Sequence, residues 1–327
     1  LARAFSLRPA LLASIRPAAW RGMASVPLEL VKELRQRTGS PIMDCKNALA
    51  ANDGDLEKAF DWLRKKGLAT ASKKASRAAA DGLVAIVSSE TAATCVEFNS
   101  ETDFVARNEL FQDLLQRIAD VAPGVLSAGQ DAQAAVDALS AASLEDGTTV
   151  AEAIKDLVGK IQENMVLRRA VKVECQDGVV SSYVHGAVRP GMGRKAGVVA
   201  LRPEPALTDA GAREQLAEVA RRLAMHVVVA APEFMERSEV GEQRLEKERA
   251  IAREQAADPK KPPHVIEKIV DGRMNKFFEE SCLVDQVHMI EEGNVKVSKH
   301  LASVGKQLGV RVSLAGFERF AVGEASE

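Results

Sequence analysis

The spacing of apolar positions changes along this chain, and each change marks a new kind of structure. From residue 28 the repeat is helical. In LELVKELRQR, residues 28–37, Leu30, Val31 and Leu34 fall on one side, as a period near 3.6 requires. Gly39 then reads as a C-cap,. Ser40 and Pro41 read as an N-cap followed by proline at the first helical position, ahead of a stripe of Cys45, Ala48 and Leu49,. NDGD, residues 52–55, is a turn that leaves Asp55 as the next N-cap,. Leu56, Ala59, Phe60 and Leu63 make the third stripe,. The spacing thus predicts a small three-helix bundle over residues 26–68, with a thin core,. Residues 69–81, ATASKKASRAAAD, are small and basic and read as a linker, helical in part,.

The period then shortens to two. GLVAIVSSETAATCVEF, residues 82–98, predicts a hairpin with Val96 and Phe98 facing inward and Glu97 outward,. A helix follows, with Leu110, Phe111, Leu114, Leu115 and Ile118 on one stripe,. Residues 123–147, rich in Ala, Ser, Gly and Asp, read as a variable excursion, and TVAEAIKDLVGKI, 149–161, as a second helix. Residues 166–188 predict another hairpin turning at QDG, and KAGVVALRP, 195–203, one more strand,. Helices packed on a largely antiparallel sheet define an α+β fold. The first core subdomain is expected over 82–205.

A second subdomain is expected over 206–327. REQLAEVARRLAMHVVVA, 213–230, is a helix passing into an apolar stretch. Residues 238–257 are almost all charge and alanine; ADPKKPP breaks the pattern, and HVIEKIVDGRMNKFFEE, 264–280, resumes a helix. Two helices about a proline-rich break predict a helical hairpin over 238–280, its first arm polar nearly all round and turned to solvent. VKVSKHLASVGKQLGVRVSLAGFERF, 295–320, closes the pattern with a helix and a strand.

Composition narrows the function. With 4% aromatic residues, Ala, Val and Leu must fill most of the core. Cys45, Cys95, Cys175 and Cys282 are scattered and form no CxxC pair, which argues for buried thiols in a reducing compartment,. Residues 1–28 hold Arg3, Arg8, Arg16 and Arg21 and no acid. That is the composition of an organellar transit peptide, expected over about residues 1–25. Its loss takes the formal charge from −2 to −6. A mildly acidic protein is poorly suited to general phosphate contact, so neither nucleic acid nor a membrane is expected as a direct partner.

No phosphate loop, HExxH or GxSxG motif is present,. GMGRKAG, 191–197, lacks dinucleotide-loop spacing; Arg194 and Lys195 there could meet an anion, or the segment could simply join two strands. His185, His226, His264, His288 and His300 show no metal-ligand spacing,. The reading is therefore of a binding module, with no cofactor, no metal and no covalent catalysis of its own.

Two stretches sharpen it. LRQRTGSPIMDCKNAL, 34–49, and EFNSETDFVAR, 97–107, resemble the two signatures of the translation elongation factor Ts family, in order and spacing. SYVHGA at 182–187, AMHVVVAAPEF at 224–234 and IVDGRMNKFFEE at 269–280 extend the similarity. Phe98 replaces the aliphatic residue usual in the second signature. The resemblance implies a guanine nucleotide exchange factor for elongation factor Tu, with an N-terminal module like a ubiquitin-associated domain. It implies that Asp103 and Phe104, flanked by Thr102 and Val105, form a tip that enters the partner's G domain. Arg35, Ile42, Met43 and Lys46 would grip the same domain, and His185 with Met289 and Ile290 would complete the contact. With the arginine-rich leader, the expected setting is the mitochondrial matrix, the plastid being the alternative. An interaction or ribosome-associated protein that kept the fold without exchange activity is the rival reading; an enzyme using His185 or a carboxylate finds no motif.

Periodicity alone favours another fate for Phe104. On a continuous helix it lies seven residues before Phe111 and shares its core stripe,. The signature implies instead that the chain turns at Ser100–Asp103, with SETD as a start resembling a capping box, and that Phe104 projects.

Overall fold

A computed structural model describes residues 26–257 and 262–324. The expected leader and part of the ADPKKPP break lie outside the described residues. The chain divides into two compact units, one ending at Ala69 and the other beginning at Thr70.

The first unit holds α1 (Leu28–Thr38), α2 (Ile42–Ala51) and, as far as Ala69, α3 (Leu56–Lys74). Val31, Leu34, Cys45, Ala48, Leu49, Ala59 and Leu63 form its buried core. Gly39 ends α1 in the left-handed region, φ 67°, and its N–H donates to the Arg35 carbonyl at 2.8 Å, which is why glycine is favoured there. Asp55 caps α3 by accepting the Lys58 N–H at 3.0 Å. The start of α2 differs from expectation. Pro41, not Ser40, is the cap residue: its carbonyl accepts the N–H of Asp44 and Cys45. The Ser40 backbone N–H donates to the Thr38 hydroxyl instead. Helix α3 runs to Lys74, so the first residues of the expected linker are helical, as that reading allowed.

The second unit is built on two antiparallel sheets. One has the order β3-β2-β1-β5, from β1 (Asp81–Ser88), β2 (Ala92–Ser100), β3 (Met165–Glu174) and β5 (Met192–Gly193). The other has the order β4-β6-β7, from β4 (Val179–His185), β6 (Lys195–Glu204) and β7 (Arg311–Ala321). Alternation assigns the layers. Leu83, Ala85, Val96 and Phe98 face α5 (Glu109–Val125), α6 (Ala132–Ala141) and α7 (Val150–Ile161). Val84, Ile86, Ala93 and Cys95 face the second sheet, against Val180, Ala196, Val198 and Phe320. The far side of that sheet, with Val179, Val199 and Leu201, packs under α8 (Ala210–Ala230) and α11 (Val297–Leu308). The mixed helix and antiparallel sheet agree with the α+β expectation.

Four details correct the strand and helix readings. Glu97 does face away from Phe98, but it is fully buried, because the second sheet covers that face. Residues 166–188 form no hairpin: β3 pairs with β2 while β4 pairs with β6, so the chain changes sheets at the QDG turn. Gly178 permits the crossing, since a Cβ there would lie 2.2 Å from the Leu201 carbonyl oxygen. The excursion at 123–147 contains α6, capped by Asp131 and anchored by Ala135 and Leu139. Leu110 is 48% exposed, whereas Phe111, Leu114, Leu115 and Ile118 are buried.

The expected helical hairpin is α9 (Glu242–Ala256) and α10 (Pro263–Ser281). Ala252 and Ala256 pack with Val270 and Met274, and Arg253 pairs with Glu267. The apolar tail of residues 213–230 stays helical to Ala230, within α8. Among the described residues, no helix is long and apolar enough to cross a membrane.

Candidate functional site

Strand β2 ends at Ser100, two residues bend the chain, and a single helical turn, α4 (Asp103–Ala106), follows. Within that turn, neighbouring residues have opposite fates. Val105 is 5% exposed and Ala106 3%, both set into the core beside Phe98 and Phe111. Phe104 is 77% exposed. Burying Val105 returns about 1.5–3 kcal/mol, enough to hold so short a helix against the sheet. The turn is closed from below by Gln112, whose side-chain amide donates to the Ala106 carbonyl at 3.1 Å. Asn108 then starts α5 by accepting the Leu110 N–H at 2.9 Å. The break at Arg107–Asn108 takes Phe104 off the stripe of Phe111.

Asp103 stands in the first turn of α4, where a negative charge is favourable,, and receives the Arg107 guanidinium at 2.8 Å. No capping box forms. Thr102 is the cap residue, and its side chain makes no capping bond. The Thr102 hydroxyl donates to Glu163 instead, and the Ser100 hydroxyl donates to the Thr102 carbonyl at 2.9 Å. Of the four expected tip residues, Phe104 is exposed, Thr102 and Asp103 are half-buried, and Val105 is a core residue.

In the first unit, Ile42 is 46% and Met43 59% exposed at the start of α2. Arg35 on α1 and Lys46 on α2 are also exposed. The buried faces of these helices belong to Val31, Leu34, Cys45 and Ala48, so the four expected residues occupy the faces left over.

His185 ends β4 in an exposed position, its Nδ1 3.3 Å from the Tyr183 hydroxyl. Met289 is exposed and Ile290 half-buried, on a segment held by histidines. His226, buried in α8, accepts the Met289 N–H at Nδ1 (3.2 Å) and contacts the Gln286 side-chain oxygen through Nε2 (2.9 Å). Those partners fix the neutral ring with its proton on Nε2. His288 accepts the Ile290 N–H at Nδ1, 3.2 Å. Arg222 donates to the Ile290 carbonyl at 2.9 Å and pairs with Glu291 at 2.8 Å.

Sequence spacing missed this grouping. His226, His288 and His300 stand far apart in the chain, yet consecutive rings lie 5.1 and 5.2 Å apart. Burial pushes the His288 imidazole down to about 3, with further help from the neighbouring histidines and Arg222. His288, Glu291 and His300 offer ligand atoms within 4.8 Å of one another. The backbone already claims Nδ1 of His288, which leaves the proton on Nε2, and Arg222 already claims Glu291. His226 and His288 therefore serve the protein's own loop, each accepting a backbone N–H there. Likewise Arg194 is paired to Asp81 at 2.6 Å, which tethers the strand junction.

The chain is thus an α+β protein in which a sheet end and one helical turn present an aromatic side chain, preceded by a three-helix unit. A family profile described as elongation factor TS matches residues 101–324. Proteins named elongation factor Ts are similar along nearly the whole length. That of Paramagnetospirillum magneticum is 48% identical over 307 residues, covering 93% of this chain and 94% of the relative. Those of Rhodospirillum rubrum and Rhodospirillum centenum are 44% and 43% identical, each covering 93% of this chain and 95% of the relative. The chain belongs to the elongation factor Ts family.

Proposed function

We propose that this protein is a guanine nucleotide exchange factor for elongation factor Tu and that Phe104 is its wedge. The exposure of Phe104 carries this reading: an aromatic ring held outside its own fold, on a turn whose next two residues are buried. An exchange factor needs no bond chemistry. It must bind the nucleotide-free partner better than the GDP-bound one, since only differential affinity shifts the equilibrium. Burying Phe104 in the partner returns about 1.5–3 kcal/mol. If that burial requires the partner's nucleotide-holding elements to part, nucleotide and factor expel one another by linkage. Asp103 supplies acceptor oxygens beside the wedge, and exposed Met43, Ile42, Arg35 and Lys46 offer a second, adaptable grip. His185, Met289 and Ile290 are assigned to the same partner contact through the family resemblance.

We place the protein in the mitochondrial matrix, on the four arginines and missing acids of residues 1–28,. Its domains are a helical module followed by an α+β core with a helical hairpin.

The test is release of fluorescent GDP from preloaded elongation factor Tu. The wild-type protein accelerates release, and Phe104→Ala abolishes most of the acceleration. Absence of any acceleration by the wild type overturns the exchange reading and favours a binding protein that retains only the fold.

A further inference from the structure

We infer that Glu163 is a positioning residue for exchange: its carboxylate clasps Thr102 and so sets the direction in which Phe104 points. The inference rests on the wedge reading above.

The last ladder pair at this end of the sheet is Ser100 opposite Met165. Beyond it the strands part, and the next backbone donors need other acceptors. Two glutamates supply them reciprocally. The Thr102 N–H donates to Glu163 at 3.1 Å, and the Thr102 hydroxyl lies 2.9 and 3.0 Å from its two oxygens. In the other direction, the Asn164 N–H donates to the Glu101 carboxylate at 2.6 Å. Asn164, 3% exposed, also donates through its side chain to the Arg77 carbonyl at 2.7 Å. Arg77 returns to Glu101 at 3.5 Å. Three segments are thereby joined at residues 77, 101–102 and 163–164.

This clasp explains the missing cap on α4. The Thr102 hydroxyl is not free to bond the first turn because Glu163 holds it. Helix α4 is one turn long, so the direction of Phe104 depends on its two anchors. Val105 and Ala106 fix the helix to the core, and the Thr102–Glu163 bonds fix its entry. With the second anchor gone, the helix rotates about the first, and the ring reaches the partner with a spread of directions. Docking through other surfaces survives; insertion slows. Thr102, expected to face the partner, acts through this clasp.

The experiment is fluorescent-GDP release from elongation factor Tu at increasing factor concentration. It uses the wild type, Glu163→Ala, Thr102→Val, Thr102→Ser, Phe104→Ala and the Glu163→Ala/Phe104→Ala double variant. Glu163→Ala and Thr102→Val each lower the maximal rate about tenfold, the scale of one hydrogen bond to a charged group, with the half-saturating concentration within about twofold. Thr102→Ser keeps the wild-type rate. Glu163→Ala adds nothing once Phe104 is alanine, the non-additivity expected of residues acting as a unit. If it slows the Phe104→Ala protein by the same factor as the wild type, or if Thr102→Ser fails like Thr102→Val, the positioning role is wrong while the wedge stands. If Phe104→Ala matches the wild type, the wedge reading itself falls. Thermal melts accompany each variant; should Glu163→Ala be unfolded at assay temperature, Thr102→Val, which keeps the amide bond to Glu163, decides the question.

Discussion

The ring of Phe98 lies flat against that of Phe111, centroids 4.5 Å apart and planes 12° apart. Both are fully buried, one on β2 and one on α5. Phe104 lies between them in sequence and outside them in space.

Stability should therefore sort the three phenylalanines. Phe98→Ala and Phe111→Ala should each cost about 3–5 kcal/mol in urea denaturation, the large-to-small penalty of a packed core. Phe104→Ala should change stability by less than about 0.5 kcal/mol. A large loss for Phe104→Ala would place that ring in the interior and remove the basis for the wedge.

The histidine-held loop should make the protein acid-sensitive. In the fold His288 titrates near 3, against 6.5 when unfolded. A depressed folded value means that stability is complete above pH 6.5 and is lost as pH falls toward 3. His226 is lowered as well, chiefly by burial, and acts with the same sign. Between pH 6.5 and pH 5, His288 alone should cost about 2 kcal/mol. Urea midpoints measured across that range should show the slope, and His288→Gln should flatten it.

Glu318 should behave in the opposite sense. Burial raises its carboxyl above the usual range, against the pull of Arg169. A raised folded value means a contribution present below the unfolded value near 4.5 and lost as pH rises through the folded one,. Glu318→Gln should raise stability at pH 7 and leave it unchanged at pH 4,, as read from paired thermal melts.

Between the sheets, Glu97 is fully buried and receives Arg169 at 2.6 Å, while the Arg169 guanidinium lies 4.4 Å from the centre of the Phe320 ring. Glu97→Leu or Arg169→Met alone unbalances a buried cluster that also holds Arg168, 4.0 Å from Glu97, and Glu318 beside Arg169, and each should be destabilising,. The double variant should recover most of that loss. Additive losses in the double-mutant cycle would show that the two side chains act independently.

The helices were legible because their stripes and caps are local. Gly39 and Asp55 act within a few residues of themselves, and each was found where the sequence placed it. The strands were legible as strands but not as partners. Nothing in QDG distinguishes a hairpin from a step between sheets; that depends on Leu201, twenty-three residues beyond Gly178. Glu97 was read as outward because alternation gives the face and not what covers it. The histidine cluster was invisible because its members come from α8, a loop and α11. For Phe104, periodicity and signature gave opposite answers. What decided between them was the helix break after Ala106, set by the Asn108 cap.

The second sheet carries a consequence for how the molecule is made. Its middle strand, β6, ends at Glu204, but its partner β7 begins only at Arg311. On a translating ribosome, every strand of the first sheet has been synthesised while one edge of β6 still waits for more than a hundred residues of chain. That waiting edge is the stretch most open to pairing with a stranger, so a nascent chain halted between residues 204 and 311 should be the form that chaperones hold.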